Sequence, residues 1–345
     1  MSWTLLVIAS SLAAASFAPA VARPSPAGAA SGTARLTDSV ETVRRTPQAL
    51  AHGASADDRA AFTLTVGVEL VPYRVMAAFV LPGEDVPVEV ASADSGFDVH
   101  VESGTIRKLS SHLWTWRSPS IPGAYALRVT PRDPGEAITV NAFVMVPYSR
   151  MRRGCLGGYR IGRYPAPRAH AGANYDRPRG FIEVTTLDDS TRVSPHFRLG
   201  QFVCKQGRRY PKYMVLKPAL LVKLERLLDT VHRNGVEAST FQVMSGYRTP
   251  AYNRRIGNVT TFTRHQYGDA ADIFVDEHPA DGVMDDLNHD GCTDRRDAER
   301  LRAWAEALDR APDSDVRAGG LSDYGSTEAH GPFVHIDARG YAARW

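Results

Sequence analysis

The segment TRHQYGDAADIFVD, residues 263–276, sets His265 and Asp272 either side of Gly268 and then runs into an apolar strand. A chain reversal at the glycine brings an imidazole and a carboxylate within reach of one ion. Two ligands do not complete a site. Further along, PFVHIDARG reads as another strand, in which period-two alternation puts Phe333, His335 and Asp337 on one face and Val334 and Ile336 on the other. His335 is therefore the candidate third ligand. Two histidines and one carboxylate, with a fourth position open to water, compose a catalytic zinc site. Asp337 is expected to hydrogen-bond a ligand or substrate from beside it.

The elements that must hold these residues are legible from residue 194 on, where the pattern turns to α+β. KPALLVKLERLLDTVHRNG aligns Leu220, Leu224, Leu227 and Val231 along one helical face, with Pro218 near its start and Gly235 just past its end. A buried strand is expected at 240–244, emptying into SGYRTPAYN. There Gly246 and Pro250 mark a turn that displays Tyr247 and Arg248 at the end of a strand.

A second motif interrupts this region. In DLNHDGCTDRRDAERL, Asp286 taken as position 1 puts Asn288 at 3, Asp290 at 5, Gly291 at 6, Cys292 at 7, Asp294 at 9 and Asp297 at 12. That is the oxygen-ligand spacing of a calcium loop, with the backbone carbonyl of Cys292 as one ligand. A helix is expected from about Arg296 to Arg310. Thr293 replaces the apolar residue usual at position 8, and the loop is similar to those of dockerin modules, which also end in aspartate. Read plainly, the same stretch is an acidic loop opening a helix, with Asp297 a favourable first-turn charge.

Upstream, residues 61–150 carry short alternating runs, among them FTLTVGVEL, VPVEVAS, LWTWRSP and ITVNAFVMV, punctuated by turns. This pattern predicts an antiparallel β-sandwich of immunoglobulin type, so that the chain is multidomain, with 151–193 as a connecting segment and 194–345 as the α+β domain on an antiparallel sheet. His100 and His112 are isolated and read as surface or core residues. Residues 1–22 read as an export signal, with TLLVIASSLAAASFA as its apolar segment and small residues at Ala20 and Ala22, although no Lys or Arg precedes the run. Residues 23–60 read as a flexible linker rich in Ala, Pro, Ser and Gly. The expected location is periplasmic or cell-wall associated. In that setting a Cys155–Cys204 disulfide is expected, leaving Cys292 over, and the lack of any Cys-x-x-Cys spacing argues against a cysteine metal site. A net charge of +3 over 345 residues gives no basic footprint for nucleic acid.

SGYRTPAYNRRIG, TRHQYGDAADI and FVHIDARG occur in the order of the three signature segments of the zinc D-Ala-D-Ala carboxypeptidase family, which trims peptidoglycan stem peptides, and SPHFRLGQFVCKQ resembles the entry to the same domain. The resemblance spans residues 194–345. It implies zinc held by His265, Asp272 and His335, with Arg248 binding the substrate's carboxylate or carbonyl oxygen. It also implies a general base shortly before the last ligand. Some members carry a glutamate three positions earlier, where this chain has Pro332; others carry a histidine five positions earlier, which is His330 here, with Glu328 in reserve. The implied activity is metal-assisted hydrolysis of a stem-peptide bond, of D,D-carboxypeptidase or endopeptidase type, with no organic cofactor. The alternative is a non-catalytic wall-binding protein whose peptidase-like domain is degenerate.

Overall fold

The computed structural model describes residues 58–92, 96–166, 175–258, 260–311 and 315–345. The expected export signal and most of the expected linker fall outside the described residues. Strand β1 (Arg59–Val66) takes in the last two residues of that expected linker.

The first half builds two sheets. After β1 come β2 (Glu69–Tyr73), β3 (Val75–Val80), β4 (Asp85–Ala91), β5 (Phe97–Val101), β6 (Thr105–Lys108), β7 (Leu113–Arg117), β8 (Gly123–Pro131) and β9 (Ile138–Val144). One sheet runs β2-β1-β4-β7-β6 and the other β3-β9-β8-β5. Alternation is the reason: β4 buries Val86, Val88 and Val90 and exposes the residues between, the signature of a sheet with one wet face. Pairing is antiparallel, as the turns predict, with one correction. Strand β3 runs parallel to β9, because β3 joins the second sheet through the long path of intervening strands rather than a hairpin.

The expected connecting segment is woven into the fold. After β10 (Val146–Pro147), just upstream of it, the segment holds β11 (Cys155–Leu156), β12 (Tyr159–Arg160) and β13 (Gly180–Val184), and β13 pairs both with β10 and with β14 (Lys212–Met214). Ala77 of β3 donates its N–H to Val193 at 2.8 Å, and Asn141 of β9 donates to the carbonyl of Arg192 at 2.8 Å. His196 lies 2.7 Å from Glu225 and 3.5 Å from Asp58, joining both ends of residues 58–225.

The expected disulfide is absent. Cys155, Cys204 and Cys292 are all free thiols. Cys204 is packed in the core, where a small apolar side chain is at home, whereas Cys155 pairs across a tight hairpin with Arg160.

Helix α1 (Pro218–Arg233) follows the predicted span, with Pro218 in its first turn and Gly235 beyond its end at φ 80°. Its four aligned apolar residues are fully buried, and truncating one of the leucines to alanine costs about 2–5 kcal/mol. Then come β15 (Gln242–Ser245), α2 (Pro250–Arg255), β16 (Ala270–Phe274), α3 (Arg295–Arg310), β17 (Gly320–Tyr324), β18 (Phe333–Asp337) and β19 (Ala343–Arg344). The sheet order is β15-β16-β18-β17-β19. Its pairs are antiparallel except β17 with β19, which is parallel because the chain crosses over from β18 to the far side of β17. Helix α2 went unread in the sequence, where Pro250 suggested only a turn. Proline at the first helical position is compatible with a helix, and the Thr249 side chain caps it by accepting the N–H of Tyr252. Among the described residues no helix is long and apolar enough to cross a membrane.

Candidate metal centre

Register assembles the site. Asp272 sits at the middle of β16, directly opposite His335 of β18 on one side and Ser245 of β15 on the other. A slip of one residue would turn either side chain to the other face. His265 arrives from a single 3-10 turn, Arg264–Tyr267, ended by Gly268 at φ 73°. A Cβ at Gly268 would stand 2.4 Å from the Val215 carbonyl oxygen, so only glycine fits where the turn presses on the chain before α1.

His265, Asp272 and His335 are all buried, and their candidate ligand atoms lie within 4.8 Å of one another. His335 Nδ1 is 2.9 Å and His265 Nε2 is 3.3 Å from Asp272 Oδ1, and the two rings are 5.0 Å apart. His265 donates its Nδ1–H to the carbonyl of Gly246 at 2.7 Å, which leaves Nε2 as a lone pair facing the carboxylate oxygen. Two acceptors facing each other in a buried space are the arrangement a cation relieves. The donor set of two imidazoles and one carboxylate is one that zinc takes.

The electrostatics agree with that assignment of protons. Burial pushes the His265 imidazole down and outweighs Asp272, so His265 is neutral. Burial alone would raise Asp272, but the two imidazoles hold it well below the usual carboxylate range. His335 is pushed down by burial and up by the hydrogen bonds it donates to Asp272 and Asp337, with the net result a pKa raised to about 9. Asp337 takes the position expected of it: its Oδ2 lies 3.4 Å from His335 Nε2, and its Oδ1 accepts the N–H of Gly320 at 2.9 Å. The strands approach so closely there that a Cβ on Gly319 would lie 1.6 Å from the Asp337 carbonyl oxygen.

Arg248 enters the same site. Its Nε donates to Ser245 Oγ at 2.7 Å and its Nη2 ion-pairs with Asp272 Oδ2. Tyr247 is not displayed as its motif suggests. It is buried, and its hydroxyl meets that of Tyr164 at 2.8 Å. Over the three ligands opens a cavity of about 800 Å³, lined also by Arg248, Tyr175, Phe262, Tyr324, Phe333 and Trp345. Trp345 lies 5.2 Å from the His335 ring and donates its indole N–H to the Tyr324 hydroxyl at 2.8 Å. Sequence reasoning put Phe333 on the face of His335 but missed Tyr175, Phe262, Tyr324, Trp345 and Arg339, the last of which also lines the cavity and pairs with Asp337. Only the HIDARG run, with Arg339 two places past Asp337, carried a local signal.

His330 does not line the cavity. It is half-buried one ring further back, 4.9 Å from Phe333, with its Nδ1–H donated to the Gly331 carbonyl at 2.9 Å. Glu328 is exposed.

The 286–297 loop is built around its own backbone. Asp286 accepts the N–H groups of His289, Asp290 and Gly291, Asn288 that of Asp290, and Asp290 that of Cys292. His289 and Gly291 both have positive φ, at 62° and 85°. Asp294 caps α3, and Asp297 is fully buried, taking the N–H groups of Leu287, Asn288 and Asp294.

Residues 195–304 match the family model described as Peptidase M15. The matched span carries Arg248, His265, Asp272 and the 286–297 loop, and it ends within α3, before β18. No curated protein matches the chain.

Proposed function

From a C-terminal domain of the Peptidase M15, zinc D-Ala-D-Ala carboxypeptidase type, we propose an exported zinc peptidase that hydrolyses peptidoglycan stem peptides, of D,D-carboxypeptidase or endopeptidase type. The observation that carries this reading is the neutral His265 whose Nε2 lone pair faces the Asp272 carboxylate across 3.3 Å, beside His335. The zinc these three residues would hold supplies Lewis-acid polarisation of a carbonyl and a water of lowered pKa. Arg248 is already oriented by Ser245 and Asp272 to meet a carbonyl oxygen as negative charge grows on it. His330 Nδ1 is occupied by Gly331, so Nε2 is the atom that takes the proton from water as the oxygen bonds to the carbonyl carbon. The same proton returns to the leaving amine as the C–N bond breaks. Tyr324, Phe333 and Trp345 give one side of the cavity an aromatic surface for the substrate to lie against.

Export rests on the N-terminal apolar segment, and we read the two-sheet region as an immunoglobulin-like sandwich. We also propose a calcium role for the 286–297 loop, supported by its ligand spacing alone; among the described residues only His265, Asp272 and His335 gather as a group that could hold a metal. Its test is a melting temperature raised by millimolar calcium, since a ligand at about a hundred times its Kd adds roughly 2.7 kcal/mol. Identical curves in calcium and in a calcium-selective chelator reduce the loop to a helix cap.

A second reading, a non-catalytic wall-binding protein, is favoured by Pro332 at the glutamate position and by His330 standing outside the cavity. Metal analysis combined with mass spectrometry of digested muropeptides separates the two. Zinc with a defined cleavage product supports the peptidase; bound wall fragments returned intact support the binder.

A further inference from the structure

Several exposed arginines are matched with acids: Arg117 lies 3.0 Å from Asp85, Arg132 2.9 Å from Asp98 and Arg310 2.8 Å from Glu306. One surface is built differently. Residues 150–164, 205–212 and 248–264 contain no Asp or Glu, and the fold draws the three stretches together. The carbonyl of Arg160 accepts from Gln206 Nε2 at 2.8 Å, the carbonyl of Ile161 accepts the N–H of Ala251 at 2.9 Å, and Thr249 Oγ1 donates to Gln206 Oε1 at 3.0 Å. These bonds join the end of β12, the loop before β14 and the start of α2. Within four residues of one or another of them stand Arg160 and Arg163, Lys205, Arg208 and Arg209, and Arg254 and Arg255. All seven are exposed, and among the described residues none is in an ion pair. Seven cations exceed the chain's whole excess of +3, so charge is segregated on this surface in a way that net charge conceals.

The surface has little besides charge. The exposed large aromatic side chains among the described residues, Tyr324, Tyr341 and Trp345, all lie outside these stretches, so nothing here offers a nucleic-acid base a ring to stack on. Ile256 is the one exposed large aliphatic side chain in them, too little apolar area to enter a lipid surface. We infer that this surface docks the polymeric peptidoglycan strand, through the carboxylates of stem peptides neighbouring the one in the metal-centre cavity. Every free stem peptide ends in a carboxylate, so a strand presents such groups at repeated intervals, and six of the seven cations are arginines, whose planar fork takes a carboxylate through two hydrogen bonds. Arg163 and Arg254 line a hollow whose Asn258, Thr260 and Thr261 also line the metal-centre cavity, so the surface stands beside the site it serves. The inference rests on the peptidase reading for the identity of the polymer, and on the unpaired arginines for its charge.

Co-sedimentation of the full-length protein with purified sacculi, stripped of phosphate polymers and used with their carboxylates either free or amidated, tests the surface. Affinity is expected to fall about tenfold on amidation, and about tenfold in each of the exposed double variants Arg208→Gln/Arg209→Gln and Arg254→Gln/Arg255→Gln, with the log–log salt slope shallower by about one per cation removed. The control Arg117→Gln/Arg132→Gln removes the same charge from matched pairs and should keep the original affinity. All three variants retain Arg248, so hydrolysis of a soluble single muropeptide should be unchanged in each, while hydrolysis of sacculi falls with affinity in the first two. Binding indifferent to amidation, an equal loss in the control, or tighter binding to a single-stranded oligonucleotide or to phosphatidylglycerol vesicles than to sacculi overturns the surface. Charge-dependent binding of sacculi with no hydrolysis of either substrate keeps the surface and removes the peptidase reading. Hydrolysis of sacculi that neither double variant slows does the reverse.

Discussion

The carboxylate of Asp272 is met by side chains from three separate strands and turns, namely His265, His335 and Arg248. The carboxylates of Asp286, Asp290 and Asp297 are met by N–H groups of the loop that carries them. Both stretches are rich in metal-binding residue types, and the contrast shows what such richness means. A carboxylate satisfied by its own backbone needs only a local turn, so its geometry follows from spacing. A carboxylate satisfied by distant imidazoles and a guanidinium needs the register of a whole sheet, and its acceptors crowd until a cation joins them.

The sharpest way to break that contrast is to delete one member of each group. His265→Ala should reduce bound zinc from about one per chain to near zero and abolish hydrolysis, because two remaining protein ligands do not hold the ion. Asp286→Ala should leave zinc content untouched. If the loop variant also loses zinc, the two groups are not independent.

The next effect concerns the proton carrier. His330→Ala is expected to slow turnover by roughly a hundredfold to ten-thousandfold while zinc stays bound. Should Glu328→Ala be the damaging change and His330→Ala harmless, the carrier is the exposed carboxylate.

Asp337→Asn weakens the hydrogen bond behind His335, and zinc affinity should fall about ten- to a hundredfold with the fold intact. The pH dependence follows from the same pair. In the metal-free protein His335 titrates at about 9, above its unfolded value of about 6.5. The stability it contributes is therefore complete below about pH 6.5 and lost as pH rises through about 9. Zinc must displace that proton, so binding at pH 7 should release about one proton, and affinity should climb with pH up to about 9. Calorimetry in buffers of different ionisation enthalpy reads the count; no proton released at pH 7 would contradict it. Calcium added to the loop should release none, since burial opposes but backbone N–H groups of Gly291, His289 and Asp290 hold Asp286 below its ordinary value.

The smallest expected effect is on the cap. Asp294→Ala removes the side chain that accepts the Arg296 N–H, at a cost of about 1 kcal/mol in stability and no change in zinc. Thermal melts of the zinc-loaded protein measure it.

Much of this was legible in the sequence where the determinant is local. Pro218 and Gly235 bracket α1, and Asp294 caps α3, which begins at Arg295, one residue before the expected start. The order of three short motifs brought forward the residues that the sheet gathers into one cavity. What escaped was set by distance along the chain. Tyr175 reaches the cavity from the connecting segment, and no periodicity announces such a contact. Cys155 and Cys204 looked pairable only because spacing says nothing of direction. Tyr247 looked displayed because a turn residue is usually exposed, whereas here Tyr164 supplies its hydroxyl with a partner inside the core.

Asp272 and His335 are nearest neighbours across a hydrogen-bonded ladder. Any motion that parts them must open the central strands, so the pair separates on the timescale of amide exchange in β16 and β18 and not on that of a swinging side chain. Capture and release of an ion are thereby decoupled in time from rebuilding the place that receives it: a metal stripped away leaves the two strands paired, and its replacement finds a seat already formed.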